Sequence, residues 1–216
     1  MIDNYEKMLN GLVKQSSFFD KKKKYDTRYI DERYNSYGEL SRRMSFLRLG
    51  FLLGAIPETP SKILDIGYGN GDFLNCAKDF ISDPAGFDVN GYPVPEGCRF
   101  VKDIYEERFD VVCFFDVLEH FEDIYEIRKL KTSYIYISVP ECHYLSDEWF
   151  LNWKHRRPDE HLWHFNKSSL RKFMNELGYI LITYSNVEDC IRTPDSNESN
   201  ILTGIFKNDL DDNLNL

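Results

Sequence analysis

No C-x-x-C pair occurs in this chain. Its five cysteines, Cys76, Cys98, Cys113, Cys142 and Cys190, are odd in number and scattered, so neither a disulfide framework nor a zinc site is expected, and no metal ligand set is assigned. Long apolar runs are missing as well. The strongest, Leu49 to Ile56 and Val111 to Phe115, fall far short of the roughly 20 residues that cross a bilayer. The first residues, Met1 to Lys7, lack the basic-then-apolar order of a secretory signal, so a cytoplasmic setting and no membrane partner are expected. Positive charge is also in short supply: 27 Lys and Arg against 36 Asp and Glu give a net charge of -9. That is the wrong sign for a surface that grips a phosphate backbone, and nucleic acid is not an expected partner. The exceptions are local, at Lys21 to Lys24 and at Lys154-His155-Arg156-Arg157.

What is present is a globular composition. With 42% hydrophobic and 15% aromatic residues in 216, one domain with an extension can bury its own core. Residues 1–56 read as an N-terminal helical extension, with Leu40, Met44, Leu47, Phe51 and Ile56 recurring near a 3.6 period before Pro57 and Pro60. Residues 57–216 read as the main domain. Here strands at 62–66, 85–89, 99–102, 109–115 and 134–139 alternate with helices at 73–80 and 121–130, which argues for βαβ units and a parallel sheet. After Pro140 the pattern lapses over a stretch holding all three tryptophans. It resumes with a helix capped at Asn166 and closed at Gly178, then strand-like runs at 179–184 and 200–206.

The segment Ile63-Leu64-Asp65-Ile66-Gly67-Tyr68-Gly69-Asn70-Gly71-Asp72-Phe73-Leu74 carries the most chemistry. A strand enters three alternate glycines and leaves as a helix, a geometry that lets a ligand lie against bare backbone beside free amide donors. Asp72 stands where a dinucleotide fingerprint needs its third glycine, which weakens an NAD or FAD reading. No G-K-[ST] follows, so a Walker A loop is excluded. Asp88, with Val89 beside it, ends the next strand, where a carboxylate can accept both hydroxyls of a ribose. Asp103 and Ile104 follow the third strand, placed to read an adenine edge and pack on its face. The fourth ends in Phe115-Asp116-Val117-Leu118-Glu119-His120.

This series resembles the class I S-adenosylmethionine-dependent methyltransferases, in particular the small-molecule enzymes of the ubiquinone and sugar-modifying type. The D-x-G-x-G-x-G loop, the acid after the second strand, the aspartate after the third, F-D-V-V-x-x-x-D-V-L-E-H and the stretch Glu160-His161-Leu162 to Phe165 carry the likeness over residues 60 to 207. Tyr68 departs from it, standing where a small residue is usual. The resemblance implies a Rossmann-like, seven-stranded, mostly parallel α/β sheet with helices on both faces and an antiparallel last strand. It also implies S-adenosylmethionine as cofactor and S-adenosylhomocysteine as product. Asp65, Gly67, Tyr68, Gly69 and Gly71 would line the methionine part, Asp88 and Val89 the ribose, Asp103 and Ile104 the adenine, with Phe115 at the edge of the transfer site.

An oxygen or nitrogen acceptor must lose a proton, and a histidine near neutrality can take it. His161, in the family-like stretch, and His120, after the strand that carries Phe115, are the candidate catalytic residues. Trp149 and Trp153 are candidates to cover a ring, Arg156 to hold an anionic group, and Tyr37, with Tyr25, Tyr29 and Tyr34, to form a lid. The expected partner is a small, possibly anionic acceptor such as a sugar, nucleotide sugar or acid; the oligomeric state is not legible. The alternatives are a non-catalytic binding or scaffold protein with the same fold, and a nucleic-acid methyltransferase. The latter commonly carries an N/D-P-P-Y/F-like motif where this chain has Phe115-Asp116-Val117-Leu118.

Overall fold

The computed structural model describes residues 2–19 and 38–209. Its centre is a seven-stranded sheet built from β3 (Lys62–Ile66), β4 (Asp83–Phe87), β5 (Arg99–Phe100), β6 (Arg108–Phe115), β7 (Lys131–Pro140), β9 (Tyr179–Ser185) and β10 (Ile201–Asn208), in the order β5-β4-β3-β6-β7-β10-β9. The first five run parallel; β10 lies antiparallel to both β7 and β9. The chain reverses at β3, crossing from one side of the sheet to the other, and the ends of β3, β4 and β6 gather at one carboxyl edge, where open α/β sheets bind ligands.

Alternation along the strands divides the core into two layers. Leu64, Ile66, Val112, Phe114, Ile135 and Ile137 face a layer closed by Leu170, Phe173 and Met174 of α4 (Lys167–Glu176), the helix that follows the short α3 (Asp147–Asn152). Ile63, Val111, Cys113, Phe115 and Tyr136 face the other, closed by Leu49 and Leu52 of α1 (Gly38–Ala55) and by Phe73 and Ala77 of α2 (Asp72–Ala77). Because Asp65 shares the period-2 face of Ile63, its carboxyl is turned into the layer under α1. The expected cap of α4 is present: Asn166 and Ser169 exchange side-chain and backbone bonds as a capping box.

Three expectations need correction. Residues near the N-terminus are not helical throughout: β1 (Tyr5–Lys7) and β2 (Val13–Gln15) form a hairpin, and β2 pairs with β8 (Trp163–His164) in a separate three-stranded sheet. The sequence between the strands gave no periodic signal, and a distant partner completes the sheet. Within α1 the buried stripe is Met44, Ser45, Leu49 and Leu52, while Leu40 is exposed. The stripe is rotated because Arg48 is turned inward. Finally, 121–130 is no α-helix but a 3-10 segment, Ile124–Lys129, preceded by another at Leu118–His120. The Asp123 carboxylate accepts from Tyr125 N, and Leu130 is already extended, so the connection from β6 to β7 is too short for a full helix. The tyrosines at 25, 29, 34 and 37 and the lysine run at 21–24 lie outside the described residues.

Candidate functional site

The glycine loop owes its shape to positive φ at Gly67 (72°), Gly69 (55°) and Gly71 (76°), where side chains are strained. Two of these glycines are also required by contact. A Cβ on Gly67 would stand 2.5 Å from Val117 Cγ2, and one on Gly71 would stand 2.7 Å from Pro95 Cγ. The loop is therefore clamped between the turn after β6 and the segment after β4. Gly67 N donates to the Phe87 carbonyl at 2.6 Å, which locks the end of β3 to the end of β4. Tyr68 tucks its buried ring over Gly86 and donates its hydroxyl to the Tyr92 carbonyl. Burial, with Asp88 and Tyr92 adding to it, pushes that phenol up to about 12.

The three acids read from the sequence stand in different settings. Asp88 accepts from Gly69 N at 3.3 Å and from Asn90 N at 2.9 Å, leaving lone pairs on both oxygens. Asp65 is 2% exposed, and burial carries its carboxyl up to about 8, with Arg48 pulling down and Asp88 pushing up. Asp103 is exposed and accepts from Tyr105 N at 2.9 Å, whereas its neighbour Ile104 is packed into the core. Val89 is 80% exposed. The structure thus brings Asp65, Gly67, Tyr68, Gly69, Gly71 and Asp88 together, and leaves Val89 and Asp103 facing solvent with Ile104 below the surface.

At the end of β6, Phe115 stacks edge-on with Phe73 and Tyr136 at 4.8 and 4.9 Å, and the Arg48 guanidinium lies 4.3 Å from its ring centroid. Asp116 follows with φ of 56°. Arg192 Nη1 donates to both of its carboxylate oxygens at 2.9 and 2.8 Å, and Arg48 approaches at 3.5 Å. Glu188, fully buried, accepts from Arg48 at 2.7 and 3.0 Å and from Arg192 at 3.2 Å. Burial opposes the ionised form of Glu188, yet the two arginines hold its carboxyl below the usual range. This Arg48–Glu188–Arg192–Asp116 network was not read from the sequence. The signal available was Arg48 inside an otherwise apolar helical stripe.

The turn continues through Val117, which rests on Gly67, to Glu119 and His120. His120 Nδ1 lies 2.8 Å from the Glu160 carbonyl, and its ring centroid is 4.7 Å from that of His161, at right angles. Leu162 N donates to the Glu119 carbonyl at 2.8 Å, tying this turn to the segment ahead of β8. His161 is 4% exposed; burial, then the charges of His120, His164 and Arg157, push it down to about 2. The two histidines singled out from the sequence therefore stand together, with Glu119 beside them.

A methyltransferase-domain family model matches residues 34–184, more than half of the chain. The chain belongs to the S-adenosylmethionine-dependent methyltransferases. No curated protein matches it by sequence. Solved structures share its fold. A chain of a Haloferax volcanii complex with the Trm112 methyltransferase activator superimposes with a TM-score of 0.59 at 12% identity, covering 86% of this chain and 99% of that one. Magnesium protoporphyrin IX methyltransferase from Synechocystis PCC 6803, solved with bound S-adenosylhomocysteine, gives 0.55 at 13% identity, over 86% and 89%. The plantazolicin methyltransferase BpumL, in complex with the same product, gives 0.56 at 16%, over 85% and 91%. The residues that would hold the cofactor are the glycine loop, left-handed at Gly67, Gly69 and Gly71, and Asp88, whose carboxylate keeps lone pairs on both oxygens.

Apart from the glycine loop, a cavity of about 500 Å³ is lined by His143, Trp149, Trp153, Lys154 and the 194–200 segment. Trp149 and Trp153 stack on each other at 5.5 Å and 22°. Arg156 is elsewhere: its guanidinium lies over the rings of Tyr5 and Phe19, bracing the hairpin against the loop. Arg157 is bound to Glu160 at 3.0 Å, and Lys154 to Asp195 at 2.7 Å. Glu148, Asp195 and Glu198 are also on its wall, and Arg156, expected to hold an anionic group, is not among its lining residues. No helix among the described residues is long and apolar enough to cross a membrane.

Proposed function

We propose that this methyltransferase modifies an oxygen or nitrogen of a small molecule whose ring rests on Trp149 and Trp153 and whose reacting atom reaches the Glu119–His120–His161 corner. The observation that supports this reading is the close approach of Val117, two residues before Glu119, to Gly67 of the glycine loop. S-adenosylmethionine supplies an electrophilic methyl group on a sulfonium. The displacement needs little beyond alignment: the acceptor loses its proton, its lone pair forms the bond to the methyl carbon, and the carbon–sulfur bond breaks with its electrons going to sulfur. The chain's contribution is to hold the two partners in line and keep bulk water out.

His161 does not act here as a titrating base. Held near 2 it stays neutral at pH 7, but accepts a proton poorly. The corner instead fixes the acceptor atom, and the proton leaves at its open side, where the His120 side chain is 21% exposed. Nucleic acid is a poor fit to a chain of net charge -9, and five free thiols suit the reducing cytoplasm. A methyl-release screen over phenols, sugars, nucleotide sugars and small acids tests the proposal. The expected result is turnover on a ring-bearing small molecule, with Trp153→Ala raising the acceptor KM and leaving cofactor affinity unchanged. Turnover confined to RNA or a protein would overturn it, and cofactor binding without methyl release to any class would return the chain to a binding role.

A further inference from the structure

Glu119, His120 and His161 offer three metal-ligand atoms that all lie within 4.8 Å of one another. Two of the three side chains are almost fully buried, Glu119 at 1% and His161 at 4%. The tautomer of His120 follows from its partner. A carbonyl oxygen only accepts, so Nδ1, at 2.8 Å from the Glu160 carbonyl, carries the hydrogen. The Nε2 lone pair then lies on the Glu119 side, 4.0 Å from Oε1. This is the arrangement found around metal-bound imidazoles, in which the second ring nitrogen is fixed by a hydrogen bond to a carbonyl or carboxylate. The backbone holds the groups in register: Leu162 N binds the Glu119 carbonyl, and His161 N binds the Arg157 carbonyl at 2.8 Å.

We infer that Glu119, His120 and His161 form a binding site for one divalent transition-metal ion, open on one side to the hydroxyl of the acceptor. Two imidazoles and a carboxylate suit Zn²⁺ or Mn²⁺, whereas Mg²⁺ and Ca²⁺ prefer ligand sets made of oxygen. Donors around a tetrahedral ion at about 2.0–2.1 Å stand about 3.3 Å apart, so closing the present spacing asks each side chain to move by less than about 1 Å. Three protein ligands leave a coordination position for a substrate oxygen, and an ion there lowers the pKa of a hydroxyl it binds. The proton released goes to solvent, and the oxygen lone pair is freed for the methyl carbon. This sharpens the function proposed above to oxygen methylation of a hydroxyl-bearing acceptor. That consequence rests on the earlier reading; the site itself rests only on the three residues. The expectation of no metal rested on the cysteines alone, whereas the ligands here are a carboxylate and two imidazoles, the third of them from the loop ahead of β8.

The test is calorimetric titration of chelator-stripped protein with Zn²⁺, Mn²⁺ and Mg²⁺, with metal content measured after dialysis. One equivalent of Zn²⁺ or Mn²⁺ is expected, with Mg²⁺ at least about a hundredfold weaker. Glu119→Gln and His161→Ala should each weaken the transition ion by at least about a hundredfold, while Cys190→Ser, at an exposed thiol, leaves it unchanged. Because the first two sites are buried, His120→Gln, at a partly exposed side chain, decides the matter if they fail to fold. In the Mn²⁺-loaded protein, nitrogen hyperfine couplings should count two imidazoles, falling to one in His120→Gln. Failure of the wild type to take up Zn²⁺ or Mn²⁺ at micromolar concentrations, or equal affinity in His120→Gln, overturns the inference. S-adenosylmethionine affinity, measured on the same stripped samples, is expected to persist; its absence would instead count against the reading of the glycine loop.

Discussion

Gly67 is where the glycine loop and the turn after β6 touch, and its replacement by alanine separates two physical effects that can be measured apart. The residue sits at φ 72°, and an added Cβ would meet Val117 Cγ2 at 2.5 Å and Cγ1 at 3.3 Å. The left-handed backbone alone costs an alanine about 1–2 kcal/mol. Forcing Val117 aside adds overpacking of about 1–3 kcal/mol, so Gly67→Ala should lose roughly 2–5 kcal/mol of stability. At about 2–4 °C per kcal/mol for a chain of this size, the melting temperature should fall by roughly 4–20 °C. Gly91→Ala supplies the reference: φ is 61° and no atom lies within 4 Å of the new Cβ, so only the backbone part, about 1–2 kcal/mol, is expected. The double variant Gly67→Ala/Val117→Ala should regain part of the difference between the two, because the obstructing methyls are gone. Thermal melts and calorimetric titration with S-adenosylmethionine report the two consequences together, and cofactor affinity should fall in Gly67→Ala but not in Gly91→Ala. If Gly67→Ala melts no lower than Gly91→Ala, the close approach of Val117 is not what fixes this loop.

Asp88→Ala removes the carboxylate that accepts from Gly69 N and Asn90 N; cofactor affinity should drop by roughly 1.5–3 kcal/mol, about tenfold to a hundredfold, read by titration. Asp65, raised to about 8, is protonated in the free protein at pH 7. A cationic ligand favours its ionised form, so cofactor binding at pH 7 should release a proton from Asp65, with the release fading as the pH rises above 8. Titrations in buffers of different ionisation enthalpy measure this, and Asp65→Asn should abolish it; an enthalpy independent of buffer would refute it. His155, bonded through Nε2 to Asn200 Oδ1 at 2.8 Å, is pushed by burial to about 4. Its folded value lies below the unfolded one, so its contribution is fully present above pH 6.5 and is lost as pH falls toward 4, by up to about 3 kcal/mol. Urea melts of His155→Gln should show a shallower decline over that window; an equal slope would assign the pH dependence to other groups.

The carboxyl edge of the sheet was legible because its determinants are local. A short apolar strand, a glycine triplet that only left-handed backbone explains, and an acid at the end of the next strand each announce themselves within a dozen residues. So Asp65, the three glycines and Asp88 fall where the sequence placed them, and β10 lies antiparallel between β7 and β9 as the resemblance implied. The adenine pair was less secure, because a side chain's face at the end of a two-residue strand depends on what packs below it, and Ile104 is drawn into the core.

What no local pattern could supply is a residue whose partner is far along the chain. Arg48 reads as an interruption of a helix stripe until Glu188, contributed by the connection from β9 to β10, is brought against it. Arg156 reads as a free cation until the N-terminal hairpin offers it Tyr5 and Phe19. His161 reads as a base near neutrality until burial takes it to about 2, because desolvation is a property of the assembled core and not of the residue. The sequence by itself determined the parallel sheet, the glycine loop and the acids that flank it, since turn geometry and strand periodicity are written in neighbouring residues. Tertiary structure alone decided which charges are buried in pairs and which histidines share a pocket with Glu119, since those depend on contacts closed between segments the chain keeps far apart.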